Sequence, residues 1–368
     1  MKLRRLYFLS SLVVVLTVVS LWLGITLSSA AATTQKPYYA GKVITIWVPS
    51  GVGGGDDLFA RFIGMHLGKH VPGNPSVVIR NQPAAGGLIA ANSVWASKPD
   101  GLTALEIGGK EPLNSILRPK GTNFKLEEGY PIIAVPSGTL LYAKAGMVKE
   151  PKDIMTAKGL IFGSSSYTAA GGASFVWFKE LLEFPVEKVI WGYGGVAASN
   201  LALLSGEINL TGASSLFYNQ TIRAYAEKGE VVPIVQSGLI DSKGEVVKEA
   251  AAPNVPTTKE LYRQIYGKAP SGVAWEIVVL MTGMRTIGKA IVLPPQTPKE
   301  LANLLTKAAI DMAKDPKYLE LAEKLNEGAP SLVGEDVIAA FRLGTSSHPK
   351  TTEFMKKVLT EKYKAVFD

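Results

Sequence analysis

The stretch VPSGVGGGDDLFARF, residues 48–62, determines which fold this chain can adopt. It begins at the end of an apolar segment, Val43–Val48, which predicts a buried strand. It then runs into Asp57–Lys69, whose apolar side chains recur on one side of a predicted helix. A glycine-rich turn lets the backbone approach a ligand closely, and the first N–H groups of a helix point into such a turn. The stretch therefore predicts a strand–turn–helix unit able to hold an anion; the alternative is a glycine turn with an aspartate cap and no ligand.

The same stretch lacks the features of a nucleotide-binding loop. The dinucleotide fingerprint G-x-G-x-x-G fails because Asp56 stands where the third glycine is required, or Leu58 if the frame begins at Gly53. The phosphate loop G-x-x-x-x-G-K-[ST] fails because two aspartates follow Gly55, and their carboxylates would repel a phosphate. We therefore expect no nucleotide and no other cofactor.

Small-residue loops follow the next two predicted strands. The loop NQPAAGG, residues 81–87, joins the strand Val77–Ile79 to a helix over Leu88–Ser97, and IGGKE, residues 107–111, follows a third strand. In a parallel sheet these loops and the glycine turn lie together at the carboxyl edge of the strands, where ligands collect. The sequence thus predicts one site built from several loops.

The pattern restarts after Pro136 as a second α/β unit. Its predicted strands Leu160–Phe162, Val189–Trp191 and Ile208–Leu210 are followed by the loops GSSSYTAAGG (163–172), GYGG (192–195) and TGASS (211–215). The two units favour an α/β fold with two lobes, each a mainly parallel sheet flanked by helices. A cleft lined by backbone amides and hydroxyls from both lobes suits a small anion such as a carboxylate.

The N-terminal segment 1–32 has the composition of a secretory signal peptide. Lys2, Arg4 and Arg5 form a basic head, an uncharged apolar run follows over Leu6–Leu27, and small residues with an A-x-A pattern end the segment. We expect cleavage after residue 30 or 32. The alternative is a retained membrane anchor, because the apolar run is long enough to span a bilayer. Either way the rest of the chain is expected to be exported.

Composition limits the class of protein further. The chain has no cysteine among its 368 residues, which excludes disulfides and thiolate metal sites, and an exported protein without disulfides fits a bacterial periplasm. The formal net charge of +8 could favour an anionic ligand or a membrane surface, or could describe a generally basic soluble surface. The basic residues are scattered without aromatic interleaving, so no nucleic acid partner is expected.

The sequence contains few combinations of residues that are suited to catalysis. Among the histidines, His66 and His70 lie four residues apart on a predicted helix, but HLGKH lacks the glutamate of a zinc protease motif and its lysine would repel a cation. We expect ordinary surface histidines, no metal site and no enzyme. A cleft enzyme, a lyase or hydrolase using Asp56 and Asp57, is the alternative of a different class, and a ligand sensor is a third.

The residues after Val43 resemble the start of a known family. A strand runs into Pro49 and a glycine triplet with Asp57, then ARF, an asparagine and proline, the pair Gly86–Gly87 and the tripeptide PDG at 99–101. Later segments, LLSGEINL (203–210), APNVPT (252–257) and PQTPKELANLL (295–305), are similar to further landmarks of the same family. The family is that of the substrate-binding receptors of tripartite tricarboxylate transporters, the TctC/Bug-type solute-binding proteins.

The resemblance implies a two-lobed Venus-flytrap fold of the type II periplasmic binding proteins. Lobe 1 would comprise residues 40–138 and 272–368, and lobe 2 residues 139–271. It also implies a monomer that holds a small carboxylate between the lobes and delivers it to the membrane permease subunits of a tripartite transporter. The ligand would be gripped by loop amides, hydroxyls and waters rather than by an obligatory arginine.

The resemblance also implies which loop residues bind the ligand. Carried over by position, the contacts are Ser50, Gly51, Val52, Gly53, Gly54, Asp57, Ala85, Gly86 and Gly87 in lobe 1, and Ser164, Ser165, Ser166, Thr168, Tyr193, Gly194 and Gly195 in lobe 2.

The chain departs from the family pattern at Asp56, where a neutral residue is usual, and at Ala84, where glycine is common. A carboxylate near the cleft would oppose a second anionic group, which argues against citrate-like tricarboxylates. The alternative is that Asp56 points outward as a helix cap. Tyr167, Trp191 and Tyr193 could stack on an aromatic acid or serve as packing residues.

Overall fold

The computed structural model describes residues 36–53, 55–241, 243–326 and 330–367. The predicted signal peptide and Gly54 lie outside these ranges. Within the described ranges, no helix has the length and apolar character needed to cross a membrane.

The strands are short, as expected of an α/β protein. In chain order they are β1 (Val43–Val48), β2 (Ser76–Asn81), β3 (Thr103–Ile107), β4 (Tyr130–Val135), β5 (Thr139–Lys144), β6 (Ile161–Gly163), β7 (Lys188–Ile190), β8 (Leu210–Ser214), β9 (Val231–Gln236), β10 (Leu239–Ile240), β11 (Val246–Val247), β12 (Lys289–Leu293) and β13 (Leu332–Val333).

The α-helices are α1 (Gly55–His70), α2 (Leu88–Trp95), α3 (Glu111–Leu117), α4 (Ala170–Leu182), α5 (Val196–Ser205), α6 (Ser215–Phe217), α7 (Arg223–Glu227), α8 (Thr258–Tyr266), α9 (Val273–Ile287), α10 (Lys299–Met312), α11 (Pro316–Asn326), α12 (Glu335–Thr345) and α13 (Pro349–Tyr363). Short 3₁₀ turns lie at Ala84–Gly87, Leu126–Glu128 and Pro151–Met155, and a π-helical turn at Tyr218–Ile222.

The first sheet has six strands in the order β13-β4-β12-β3-β1-β2. β1 pairs in parallel with β2 and β3, as the strand–helix alternation predicts. β12 instead pairs antiparallel with both β3 and β4, and β13 runs antiparallel to β4. The sheet is therefore mixed, and the prediction of a mainly parallel sheet is wrong in this respect.

The second sheet has five strands in the order β7-β6-β8-β5-β9. β6 is parallel to β7 and β8, whereas β5 is antiparallel to β8 and β9. Both sheets depart from parallel order for one reason. β4 and β5 are consecutive strands that enter different sheets, and β12 returns to the first sheet after an excursion through the second. These crossing strands are therefore antiparallel to the strands of the βαβ units beside them.

The two faces of the first sheet are covered by different helices. Alternate side chains of β3 point to opposite faces, so Ala104 packs with α1 and α10 while Leu105 packs with α2 and α12. On α1, Phe62 and Leu67 are buried against this sheet, and burying each contributes roughly 1.5–3 kcal/mol. The carboxyl ends of β1 and β3 are thereby held beside the first turn of α1.

The second sheet is also packed on both faces. One face carries α4, whose Phe175 stacks on Phe162 of β6 with ring centroids 3.6 Å apart. Helices α3, α9 and α13 contribute Leu113, Ile277 and Met355 to the same hydrophobic cluster. These three helices belong to segments that the prediction assigns to lobe 1, although they pack with the second sheet. The predicted lobe boundaries at 138–139 and 271–272 therefore stay a prediction.

Two crossings between the sheets lie side by side. The segment 136–138 joins β4 to β5, and Gly288 joins α9 to β12. The backbone N–H of Ser137 donates a hydrogen bond to the carbonyl of Arg285 (N···O 3.0 Å), and Val135 forms an isolated bridge with Gly288. Gly288 has a φ of 50° and a ψ of −87°, and a Cβ there would lie 2.2 Å from the Val135 carbonyl oxygen. Only glycine fits this crossing.

Candidate ligand-binding site

A cavity of about 520 Å³ lies between the two sheets and opens beside the glycine turn. Its wall includes loop residues predicted from both units: Ser50, Gly51, Val52, Ser164, Ser165, Gly194 and Gly195. The structure thus brings these loops together across the cleft. We refer to this space as the head cavity.

The remaining predicted residues of the first unit do not line the head cavity. Gly53 lines an adjoining cavity, and Gly54 lies outside the described residues. Ala85 and Gly86 are exposed in the 3₁₀ turn, and the buried Gly87 packs closely against Pro49. The 3₁₀ turn therefore packs against the end of β1 and does not contribute to the wall of the head cavity.

Three predicted residues of the second unit make local contacts instead. The hydroxyls of Ser166 and Thr168 are 3.2 Å apart, and Ser166 Oγ accepts a hydrogen bond from the Ala169 N–H. The Tyr193 hydroxyl donates to Glu207 Oε1 at 2.6 Å. These interactions shape the loops, and their side chains do not line either cavity described here.

The two adjacent aspartates have different positions. The buried Asp57 accepts a hydrogen bond from the Gly53 N–H (2.8 Å) and pairs with Arg61 (2.9 Å), so it closes the turn before α1 and does not line the cavities. Asp56 lines both cavities and forms an ion pair with Lys289. The alternative of an outward-pointing Asp56 is therefore wrong, and the capping interaction belongs to Asp57.

Two helices begin at the head cavity. Ala170 and Gly171 open α4 and Val196 opens α5, and all three residues line the wall. In the described part of the chain, no side chain caps either first turn. The free N–H groups and the positive ends of both helix dipoles are therefore available to an anion.

Three cationic side chains of the wall were not predicted from the sequence. Arg285 comes from the last turn of α9, Lys289 from the start of β12, and Lys110 from the loop after β3. Burial lowers the pKa of Arg285 to about 10, against the opposing effect of Asp56 and Glu111, so the guanidinium is charged at neutral pH. Lys110 Nζ donates to the Pro49 carbonyl at 2.9 Å. Lys110 lies in the loop IGGKE, which the sequence places at the site, whereas no local sequence pattern marks Arg285 or Lys289.

Two buried glutamates lie behind this wall. Glu106 of β3 is fully buried, and neither carboxyl oxygen has a hydrogen-bond partner in the described ranges. Burial, reinforced by Asp56, raises its pKa well above the usual value. Glu111 accepts from the Gly108 N–H at 2.9 Å, and burial also raises its pKa. For Lys289, burial lowers the pKa, but the carboxylates of Asp56 and Glu106 outweigh burial and raise it.

A second cavity of about 530 Å³ adjoins the first. Its apolar side chains include Leu58, Phe59 and Phe62 from α1 and Leu216 and Phe217 from α6. Both cavities are lined by Asp56, Ser137, Val196, Ser214 and Lys289, so they share a wall. We refer to this second space as the apolar cavity.

The aromatic residues singled out in the second-lobe loops are packing residues. Trp191 lies edge-on to Phe162 (5.7 Å between centroids) and to Tyr363 (6.2 Å), and Tyr167 packs against the same hydrophobic cluster. None of these three loop aromatics lines either cavity.

The expectation of surface histidines is wrong for His66. Its ring is 7% exposed and packs between Phe62 and Tyr318, and burial, with Lys69, lowers its pKa. His70 is half-buried beside Asp315 at 3.2 Å. The described residues contain no cluster of His, Asp and Glu suited to a metal ion.

Comparison with known sequences finds partial relatives. A UPF0065 protein of Bordetella bronchiseptica is 30% identical over 125 residues, which are 33% of this chain and 37% of the relative. A UPF0065 protein of Bordetella pertussis is 36% identical over 81 residues, 22% of this chain and 24% of the relative. In sequence the chain thus spans well under two thirds of these relatives, and no family model matches it.

Comparison with solved structures covers far more of the chain. A TctC solute-binding protein from Polaromonas superposes with a TM-score of 0.63 at 18% identity, over 88% of this chain and 99% of that structure. The periplasmic binding protein BugD gives a TM-score of 0.58 at 19% identity, over 87% and 98%. MatC from Rhodopseudomonas palustris with bound malate gives 0.56 at 18% identity, over 87% and 99%.

These structures establish the fold as the two-lobed α/β fold of the periplasmic binding proteins. The fold class predicted from the sequence is confirmed, apart from the mixed order of the strands. By sequence over a third of the chain and by fold over most of it, the resemblance to the TctC/Bug-type solute-binding proteins is confirmed.

Proposed function

We propose that this protein is an exported solute-binding protein that captures a small organic acid between its two lobes. In this proposal the acid is delivered to the membrane permease of a tripartite tricarboxylate-type transporter, and the protein acts as a monomer in the periplasm. The N-terminal signal peptide would direct export.

One observation carries the proposal. Arg285 and Lys110 line the head cavity together with the open first turns of α4 and α5. Asp56 is engaged by Lys289, and Lys110 lies 3.8 Å from the Glu111 carboxylate, so the Arg285 guanidinium supplies the positive charge that is available to a ligand at the wall. Charge-assisted hydrogen bonds from guanidinium and backbone N–H groups are suited to a carboxylate. The malate bound by MatC, a protein of the same fold, supports this ligand class.

The mechanism follows from the position of the site between the sheets. A carboxylate that contacts loops of both lobes favours the arrangement in which those loops are close, so binding shifts the population toward the closed form. The hinge in this proposal is the pair of crossings at 136–138 and Gly288. The permease would read the closed form.

The direct test is a titration of the purified protein with malate and with adipate, monitored by calorimetry and by melting temperature. We expect binding of at least one acid and no shift with glucose or an alkylamine. A protein that responds to sugars or amines but to no acid is not a carboxylate receptor.

The residue-level prediction concerns Arg285. Arg285→Gln removes the buried guanidinium and should weaken acid binding at least about tenfold, because a hydrogen bond to a charged group contributes roughly 1.5–3 kcal/mol. Arg342→Gln, a change of equal charge at an exposed site on α12, is the matched control and should bind as the unchanged protein does. Equal losses in both variants would remove Arg285 from the site.

A cleft enzyme is the alternative of a different class. Such an enzyme would use Asp56 and Asp57 as its acid–base pair. Asp57, however, accepts a hydrogen bond from the Gly53 N–H and pairs with Arg61, and Asp56 is paired with Lys289. This arrangement favours binding over acid–base chemistry by the pair. Incubation of the protein with a bound acid, followed by analysis of the recovered ligand, tests the point; a chemically altered acid would favour the enzyme.

A further inference from the structure

We propose that Gly109 is a positioning residue for the ligand: it leaves a slot in the wall of the head cavity in which the guanidinium of Arg285 lies, and so fixes the direction from which Arg285 meets the acid. The inference rests on the proposed function, because it concerns how the carboxylate of that acid is held. Gly109 belongs to the loop IGGKE, residues 107–111, which begins at the end of β3.

The space beside Gly109 is filled by a single group. A Cβ at this position would lie 2.0 Å from Arg285 Nη1, 2.8 Å from Cζ and 2.9 Å from Nη2, and these three guanidinium atoms are its nearest neighbours. Arg285 Nη2 also donates a long hydrogen bond to the Gly109 carbonyl oxygen, at 3.4 Å. The guanidinium thus occupies the volume that a side chain at position 109 would need.

Backbone conformation does not explain why this residue is glycine. Gly108 and Gly109 both have φ values outside the left-handed region that favours glycine. At Gly108, the nearest neighbour of a Cβ would be the Asp56 carboxylate, with Oδ1 at 3.0 Å. Both positions are therefore small because charged side chains of the wall lie against them, Asp56 against Gly108 and Arg285 against Gly109.

Both ends of Arg285 are held in place by this arrangement. Its backbone carbonyl accepts a hydrogen bond from the Ser137 N–H at the crossing, and its guanidinium lies in the slot at Gly109. A mobile arginine side chain loses rotamer freedom when a ligand fixes it, and this loss weakens binding. A guanidinium that is already fixed avoids the loss, so the slot contributes to affinity through Arg285.

The loop itself is anchored on both sides of the slot. Glu111 accepts a hydrogen bond from the Gly108 N–H at 2.9 Å, and Lys110 Nζ donates to the Pro49 carbonyl at 2.9 Å. Gly109 lies between these fixed residues. A methyl group added at Gly109 should therefore displace the guanidinium, which is the end of a flexible side chain, rather than the backbone of the loop.

The first test is Gly109→Ala, measured by calorimetry with malate or adipate, whichever acid the unchanged protein binds. Binding should weaken about fivefold, approaching the roughly tenfold loss expected of Arg285→Gln, because the guanidinium is present but displaced. Gly283→Ala on α9 is the matched control. Its Cβ would meet no atom closer than 3.4 Å, and it should leave binding unchanged.

A double-variant cycle separates positioning from direct contact with the acid. If Gly109 acts through Arg285, adding Gly109→Ala to Arg285→Gln should change the affinity by less than about twofold, since no guanidinium is left to displace. A loss that multiplies with that of Arg285→Gln would show that the methyl group obstructs the acid itself, and would overturn the positioning role.

A readout without ligand keeps this proposal distinct from the carboxylate receptor. Phenylglyoxal modifies accessible guanidinium groups, and Arg285 is only 3% exposed. Its modification rate, measured by peptide mass spectrometry against the exposed Arg342, should rise severalfold in Gly109→Ala and stay constant in Gly283→Ala.

The outcomes separate the two proposals. An unchanged modification rate or an unchanged affinity in Gly109→Ala overturns the slot and leaves the carboxylate receptor in place. Failure of malate and adipate to bind the unchanged protein overturns the carboxylate receptor, whereas a raised modification rate at Arg285 in Gly109→Ala still supports the slot.

Discussion

At the scale of single residues, the glycine turn contains two aspartates with different partners. Successive residues on a helix point about 100° apart, so Asp57 can turn back to Gly53 and Arg61 while Asp56 faces the cleft. Both residues satisfy the sequence preference for a helix start, which is why the sequence could not tell them apart. Lys289, whose ion pair with Asp56 shows which aspartate faces the cleft, is 233 residues away along the chain.

Glu106 leads to a prediction about pH and stability. Its pKa is raised in the folded protein by burial and by Asp56, so the folded state holds the proton at pH values where the unfolded chain has lost it. Stability from this group is present below the unfolded pKa, near the ordinary 4.5, and is lost as pH rises toward the folded pKa. Glu106→Gln mimics the protonated form and should raise the free energy of unfolding at pH 7.

Urea unfolding of the unchanged protein and of Glu106→Gln at pH 4 and pH 7 checks this. The stabilisation should be present at pH 7 and vanish at pH 4, where the unfolded glutamate is also largely protonated. An equal difference at both values would show that the substitution acts through packing rather than through charge.

At the scale of elements, the first turn of α4 is defined by a close contact with β8. A Cβ at Gly171 would lie 2.0 Å from the carbonyl oxygen of Gly212, so the helix start and the strand approach to a distance that only glycine permits. This contact holds the free N–H groups of α4 at the wall of the head cavity.

Gly171→Ala should therefore destabilise the protein by about 1–3 kcal/mol, the usual cost of overpacking, and weaken acid binding because the helix start must shift. Gly194→Ala is the control: its Cβ would meet no atom within 4 Å, and it should leave the melting temperature unchanged. Melting curves of both variants without ligand make the comparison. A normal melting temperature for Gly171→Ala would contradict the rigid contact.

The elements that the sequence predicted well are those with local signals. The β1–α1 unit has an apolar strand, a glycine turn and an amphipathic helix in succession, and it is observed as predicted. The strands β4, β5 and β12 were missed, because central strands buried on both faces show no alternation and their partners are remote in sequence. The loop TGASS was also misplaced: β8 continues through Ser214, whose hydroxyl then accepts from the Phe217 N–H to start α6.

At the scale of the whole molecule, the sequence predicted the loops of the site but not its cations. Loop residues such as Ser50 and Gly194 could be placed because small residues after strands collect at one edge of a sheet. Arg285 and Lys289 reach the cavity only because the chain crosses back between sheets at Gly288. That crossing is a property of the topology, and no local pattern marks it.

Closure of the lobes gives a prediction for the whole molecule. Because the chain has no cysteine, two introduced cysteines can be spin-labelled without background. Met65→Cys on α1 and Leu201→Cys on α5 replace exposed side chains on opposite lobes, and the distance between the labels should shorten when malate or hexanoate is added. Met65→Cys with Ile89→Cys, both on the first lobe, is the control pair and should not respond. An unchanged distance in the first pair with saturating bound acid would exclude closure.

The position of Arg285 beside the crossings has a further consequence for the order of binding events. Points near the axis of a rotation move least, and Arg285 is tied to Ser137 within the crossing itself. In the proposed closure its guanidinium keeps nearly the same place while the outer loops swing through the largest arc. An acid can therefore bind first at the stationary Arg285 and be enclosed by the outer loops afterwards. The rate of capture is then limited by diffusion to Arg285, and the rate of release by the opening of the outer loops.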